Sequence, residues 1–121
     1  LSTSYRMELM FDRFKPISHD ILNTDSTYIE CSNNTFILYR QAAQPIGTCT
    51  IDCYPNSGCL HHVEITDIYR RKGYATAMLS LLIPVLIAKG IKKIFLHVDA
   101  DNIAAVSLYK NTGFRITETL S

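Results

Sequence analysis

Apolar and polar residues alternate along much of the first half of the chain, and apolar residues recur at helical spacing in two stretches of the second half. Period two predicts half-buried strands, and apolar positions at i, i+3, i+4 and i+7 predict helices. Tyr5 to Phe11 reads as a strand, with Tyr5, Met7 and Leu9 alternating against Arg6 and Glu8. Asp12 to Asp25 carries Pro16, many polar residues and a short apolar piece at Ile21-Leu22, which predicts a loop with one helical turn. Thr27 to Cys31 and Thr35 to Arg40 flank Ser32-Asn33-Asn34. Asparagine tolerates the positive φ of tight hairpin turns, so these runs are expected to pair antiparallel. Gln44 to Tyr54 follows as a strand, Pro55-Asn56-Ser57-Gly58 is turn chemistry, and Cys59 to Thr66 completes a four-strand meander.

The period then changes. Ala75, Met78, Leu79, Leu82 and Leu86 define a helix over Ala75 to Lys89 with Gly90 as its stop, and Pro84 predicts a kink or break near Ser80. Ile91 to Val98 is a β-branched strand. Asp99, Asp101 or Asn102 caps a second helix running to about Asn111, Gly113 ends it, and Phe114 to Thr117 begins a short last strand. The order is strands, helix, strand, helix, strand. It predicts a single α+β domain over 1–121, a mixed, mostly antiparallel sheet with one parallel crossover where strand 59–66 passes through the helix to strand 91–98.

Composition narrows the class. With 121 residues, 47% hydrophobic and 19% charged, the chain has material for one core. A net charge of +1 excludes broad electrostatic attraction to nucleic acid or anionic membrane, so any basic site is local. The longest apolar run, Met78 to Ala88, is shorter than the ~20 residues of a membrane span and contains Pro84, so it reads as a buried helix. Cys31, Cys49, Cys53 and Cys59 lack paired metal-type CxxC spacing and no leader precedes them, so a reduced cytoplasmic chain is expected. A zinc reading of Cys59, His61 and His62 fails on the pleat, which sends the two histidines to opposite faces; no metal is expected.

The local basic site is Arg70-Arg71-Lys72-Gly73-Tyr74-Ala75, between a strand and a helix start. Helix N-termini bind anions through N–H groups that lack an intrahelical partner, which makes this turn a phosphate cradle or, at its plainest, a solvated basic turn. Arg70-x-x-Gly73-x-Ala75 resembles the acyl-CoA signature of the Gcn5-related N-acetyltransferase (GNAT) superfamily. Asn102-x-x-Ala105-x-x-Leu108-Tyr109 running to Gly113-Phe114 resembles that superfamily's second pattern. The resemblance covers about Cys59 to Ile116, with Thr27 to Tyr54 matched by strand order; it departs at Asp67, where relatives often have proline.

That resemblance implies an acetyl-CoA-dependent N-acetyltransferase, moving acetyl to a primary amine of a small molecule or peptide by direct attack in a ternary complex. It implies that backbone N–H groups from Arg71 to Ala75, Lys72, Gly73 and Tyr74 included, hold the CoA pyrophosphate. Arg70 and Arg71 add charge, and Lys72 points to solvent. Gly73 permits close backbone approach. The strands around Val63–Thr66 and Phe95–Val98 are expected to splay, with Ile65 offering an N–H to the thioester carbonyl. Asn102 is a pantetheine contact or a plain N-cap. Tyr109 is the acid that protonates the departing thiolate, or a core tyrosine. For the base, strand parity groups Glu64 with His62 and sets His61 on the other face, so Glu64 or His62 is chosen, against a proton path of water and backbone alone. The other function class is a catalytically silent acyl-CoA-binding or regulatory domain of a larger protein. The space before the hairpin leaves room for only part of the family's N-terminal helices. Ser4 to Leu9 resembles a family final strand, so residues 1–11 are expected either to belong to a preceding domain or to complete a sheet in this or a neighbouring chain, as in a homodimer.

Overall fold

The computed structural model describes residues 2–16, 27–40 and 44–121. The expected loop piece at Ile21-Leu22 lies outside them. Seven strands form one sheet: β1 (Ser4–Leu9), β2 (Tyr28–Ser32), β3 (Thr35–Arg40), β4 (Gln44–Tyr54), β5 (Ser57–Ile65), β6 (Lys93–Asp99) and β7 (Phe114–Leu120), in the order β2-β3-β4-β5-β6-β1-β7. Among the described residues two α-helices, α1 (Tyr74–Ala88) and α2 (Ile103–Thr112), follow β5 and β6. All neighbouring pairs are antiparallel except β5 and β6, joined through α1. The α+β class and the single parallel crossover are thus as the pattern predicts.

Turn chemistry sets the hairpins. Asn33 and Asn34 take φ of 48° and 63°, and Asn56 takes 69°, the left-handed values that tight hairpins require. α1 ends on Gly90 at φ 90°, where the Ile91 N–H reaches the Leu86 carbonyl and the Gly90 N–H reaches that of Ile87, a Schellman closure. Pro84 does not break α1, contrary to its usual effect. Leu79, Leu82 and Ile83 before it and Leu86 after it are buried, and tertiary packing of that face outweighs the lost backbone bond. β7 runs to Leu120, longer than its pattern indicates, because β1 pairs with it from Phe114 to Leu120.

Both helices belong to one apolar core. Met7, Phe36, Leu38, Ile51, Leu60, Ile94 and Leu96 from the sheet cluster with Leu79, Leu82, Ile83 and Tyr109 from the helices. β1 is an interior strand, bonded to β6 on one side and β7 on the other, so both of its edges are used within this chain. In this structure β1 therefore completes the sheet of its own chain. No helix among the described residues is long and apolar enough to cross a membrane.

Candidate active site

β5 carries the first element of the site. Thr48 pairs with Glu64, while Thr50 pairs with His61, so β5 holds one more residue than β4 between these points. The extra residue is His62, at φ 52°, a β-bulge. A bulge inverts the alternation beyond it. Glu64 therefore shares its face with His61 and not with His62, which corrects the parity expected from an unbroken pleat. His61 Nε2 lies 2.9 Å from Asp52 Oδ2, whose strand position is on that same face.

The bulge coincides with the end of β5–β6 pairing. The parallel register runs from Ser57–Lys93 to Leu60–Leu96, and among the described residues it goes no further although both strands continue. Phe95 is still paired, with Cys59, so the parting starts slightly later than the expected Phe95. Past this point Ile65 pairs with Gly47, and the Thr66 N–H donates to the Ile46 carbonyl at 3.0 Å. That bond makes Ile65 and Gly47 a non-hydrogen-bonded pair, so the N–H and C=O of Ile65 point away from β4, into the space where β6 has departed.

The turn after β5 brings a second element beside it. Asp67–Tyr69 forms a short 3-10 turn, Arg71 takes φ 63°, and Gly73 precedes α1 at φ 84°. The N–H of Ala77 donates to the Gly73 carbonyl, so the turn ahead of it holds the N–H groups that an α-helix leaves without an intrahelical acceptor. A Cβ on Gly73 would meet nothing within 4 Å. Glycine is required there by its φ, and the face of the turn is open. Arg71 is exposed and makes no ion pair among the described residues.

These parts line one cleft of about 570 Å³. Val63, Glu64 and Ile65 come from β5, Arg70, Arg71 and Gly73 from the turn, Tyr74 and Ala75 from α1, and Asn102, Ala105 and Leu108 from the start of α2. The structure thus gathers seven of the cofactor residues expected from sequence, leaving out the exposed Lys72. Leu108 and Tyr69 also line the cleft; the spacing of three from Ala105 to Leu108 and the place of Tyr69 in the turn are the sequence signals for them. Asn102 also caps α2, its Oδ1 accepting from the Ala105 N–H at 3.2 Å. A smaller cleft of about 380 Å³ shares Glu64, Ile65 and Arg70 and adds Thr48, Thr66 and Asp67. Glu64 therefore stands between two clefts, whereas His61 and His62 line neither.

Tyr109 lies one residue beyond Leu108, turned into the core. It is 7% exposed, does not line the larger cleft, and its ring meets Phe114 edge-on at 5.7 Å. Burial pushes its phenol up to about 12, and neighbouring Cys49 adds to the shift. It stays protonated throughout the neutral range. Among the described residues no group of His, Cys, Asp and Glu assembles that could hold a metal ion.

A mixed sheet that parts beside a glycine-led helix N-terminus, with outward strand groups at the parting, makes a slot that suits an extended, phosphate-bearing amide ligand. The chain belongs to the acetyltransferase (GNAT) family, whose model it matches over residues 4–114. It is 28% identical over 85 residues to acetyltransferase SG1711 of Sodalis glossinidius, covering 70% of this chain and 60% of that protein. It is 44% identical over 61 residues to the uncharacterized N-acetyltransferase YycN of Bacillus subtilis, covering 50% of this chain and 39% of that one. The crystal structure of YycN superimposes with a TM-score of 0.68 at 30% identity over 72% of this chain and 58% of its own. A third relative, the ribosomal protein bS18-alanine N-acetyltransferase of Escherichia coli, is 36% identical over 55 residues, 46% of this chain and 37% of that enzyme. The chain spans 60% or less of each of these curated relatives.

Proposed function

We propose that this domain is an acetyl-CoA-dependent N-acetyltransferase that acts by direct attack of an amine on the thioester in a ternary complex. The observation that carries the reading is the parting of β5 and β6 beyond Leu60–Leu96, directly beside the open N-terminus of α1, in a single cleft. A phosphate-bearing, amide-containing thioester fits these residues. Arg71, the open backbone at Gly73 and the first N–H groups of α1 suit pyrophosphate. The Ile65 N–H suits the thioester carbonyl, where it opposes the charge that develops on oxygen. The group bound there supplies an activated acetyl; the chain orients it and handles protons.

An amine acceptor with a pKa near that of lysine, about 10.4, must lose a proton before attack. Glu64 is the base in this reading, since it is a carboxylate residue that lines both clefts. Tyr109 is the acid for the departing thiolate. Calorimetric titration with acetyl-CoA, followed by thiol release over a panel of primary amines, tests the reading: micromolar binding and turnover with at least one amine are expected, and a folded chain that does not bind acetyl-CoA would overturn it.

The burial of Tyr109 favours a second reading, an acyl-CoA-binding domain without turnover. In that case Tyr109→Phe leaves acetyl-CoA affinity unchanged and no amine yields free thiol at any rate above the enzyme-free control. An active enzyme whose Tyr109→Phe variant binds normally and loses turnover supports the first.

A further inference from the structure

We propose that Arg70 is a positioning residue and not a phosphate ligand: it takes the Ile65 carbonyl out of the donor slot and leaves the Ile65 N–H as the strand's lone group for the thioester. This rests on reading the larger cleft as the donor site.

Ile65 presents both an N–H and a C=O away from β4, the two groups that an extended amide ligand would use to add itself as a strand. Arg70 Nε donates to that carbonyl at 3.0 Å. The other end of the same guanidinium is held, with Nη1 2.9 Å from Asp67 Oδ1. A guanidinium is planar, with its donors in a fixed fork, so binding at two points sets its orientation.

The 65–66 peptide is then pinned on both sides. Its C=O meets Arg70, and its N–H, that of Thr66, meets the Ile46 carbonyl at 3.0 Å. Stability does not explain this arrangement, because the Arg70 and Asp67 side chains are 63% and 84% exposed, and such ion pairs contribute little. Its consequence is positional. With one lone pair of the carbonyl already taken by Arg70, Ile65 is a weakened acceptor for an amide of the donor, whereas its N–H is fully available to an acceptor oxygen. Arg71, with no ion pair among the described residues, keeps the role of phosphate cation.

Arg70→Gln and Arg70→Lys test this, each compared on acetyl-CoA and on S-acetylpantetheine, which has the amide arm without pyrophosphate. A positioning role predicts that both variants lose kcat by about tenfold or more, by the same factor on either donor, with calorimetric affinity for CoA within about threefold. Lysine fails to rescue because a point charge cannot hold two acceptors in one plane. It also predicts faster amide hydrogen exchange at Ile65 and Thr66 in the ligand-free variants, a readout independent of turnover. A phosphate role predicts the opposite: Arg70→Gln weakens CoA binding about tenfold, Arg70→Lys restores it, S-acetylpantetheine is unaffected and exchange at Thr66 is unchanged. That pattern overturns the proposal while leaving the donor site intact. A wild-type chain that does not bind CoA removes the donor reading and the proposal with it.

Discussion

Ile65 crowds any side chain at position 47. A Cβ on Gly47 would stand 2.6 Å from Ile65 Cδ1 and 3.0 Å from the Glu64 carbonyl oxygen, with Met78 Sδ at 3.6 Å behind them. The two residues are directly opposed across β4 and β5, so the glycine lets the last turn of β5 lie flat against its neighbour just where its backbone serves the cleft.

Gly47→Ala is therefore expected to act on the site as well as on the fold. The methyl pushes Ile65 outward, and overpacking of this kind costs roughly 1–3 kcal/mol. Urea unfolding would show the loss in midpoint, and CoA titration a weakened affinity. A variant of unchanged affinity and stability would mean that Ile65 has free rotamers the packing does not show.

Two other glycines separate conformation from contact. Gly73 and Gly113 have φ of 84° and 121°, yet a Cβ on Gly73 meets nothing, while one on Gly113 falls 2.8 Å from the Arg13 carbonyl oxygen and 2.9 Å from Phe14 N. Gly73→Ala should cost only the left-handed strain, about 1–2 kcal/mol, and chiefly reduce donor binding. Gly113→Ala adds backbone collision to strain and breaks the packing of the 10–14 segment on α2, where the Met10 N–H bonds the Gly113 carbonyl at 3.0 Å. Thermal melts should rank Gly113→Ala well below Gly73→Ala, and CoA titration should reverse much of that order.

Stability should fall in mild alkali through two buried acids. Burial pushes the Cys49 thiol from its ordinary 9.0 up to about 12, and the Tyr109 phenol from 10.0 up to about 12. Both folded values lie above the unfolded ones. The unfolded chain ionises first as pH rises, so the stabilisation is complete below about pH 9 and is lost between there and 12, by a few kcal/mol. Urea midpoints across that window should decline steeply, and Cys49→Ala should flatten the slope even though its cavity lowers the whole curve. Equal slopes in the two proteins would reject the assignment to Cys49.

The succession of strands and helices along the chain and the glycine turn before α1 were legible because each rests on local chemistry: asparagines in hairpins, Gly90 as a stop, alternation in β3 and β4. The two signatures were legible as a resemblance, and Asn102, Gly73 and Ile65 do meet in one cleft. What sequence hid was non-local. Nothing in His61-His62-Val63 announces a bulge, because histidine at positive φ is allowed and the extra residue is defined only against β4. Pro84 misled because the propensity of one residue says nothing of the buried face around it. The same holds for Tyr109, whose helical spacing from Asn102 fixed its sequence neighbours but not the depth to which Phe114 and the core draw it in.

The bulge turns into a prediction about the base. An unbroken pleat would make Glu64 and His62 equivalent candidates, but the extra residue leaves His62 outside both clefts while Glu64 lines each. Glu64→Gln keeps the size and exposure of the side chain and removes its proton acceptor, so kcat should fall by about 10²-fold or more with little change in folding stability. His62→Gly removes the imidazole while suiting the 52° φ, and should stabilise the chain by up to about 1 kcal/mol with a far smaller loss of turnover. Steady-state kinetics of the two variants side by side would separate the candidates. A His62→Gly variant that loses turnover as fully as Glu64→Gln would return the histidine to the mechanism and show that the proton path runs around the bulge.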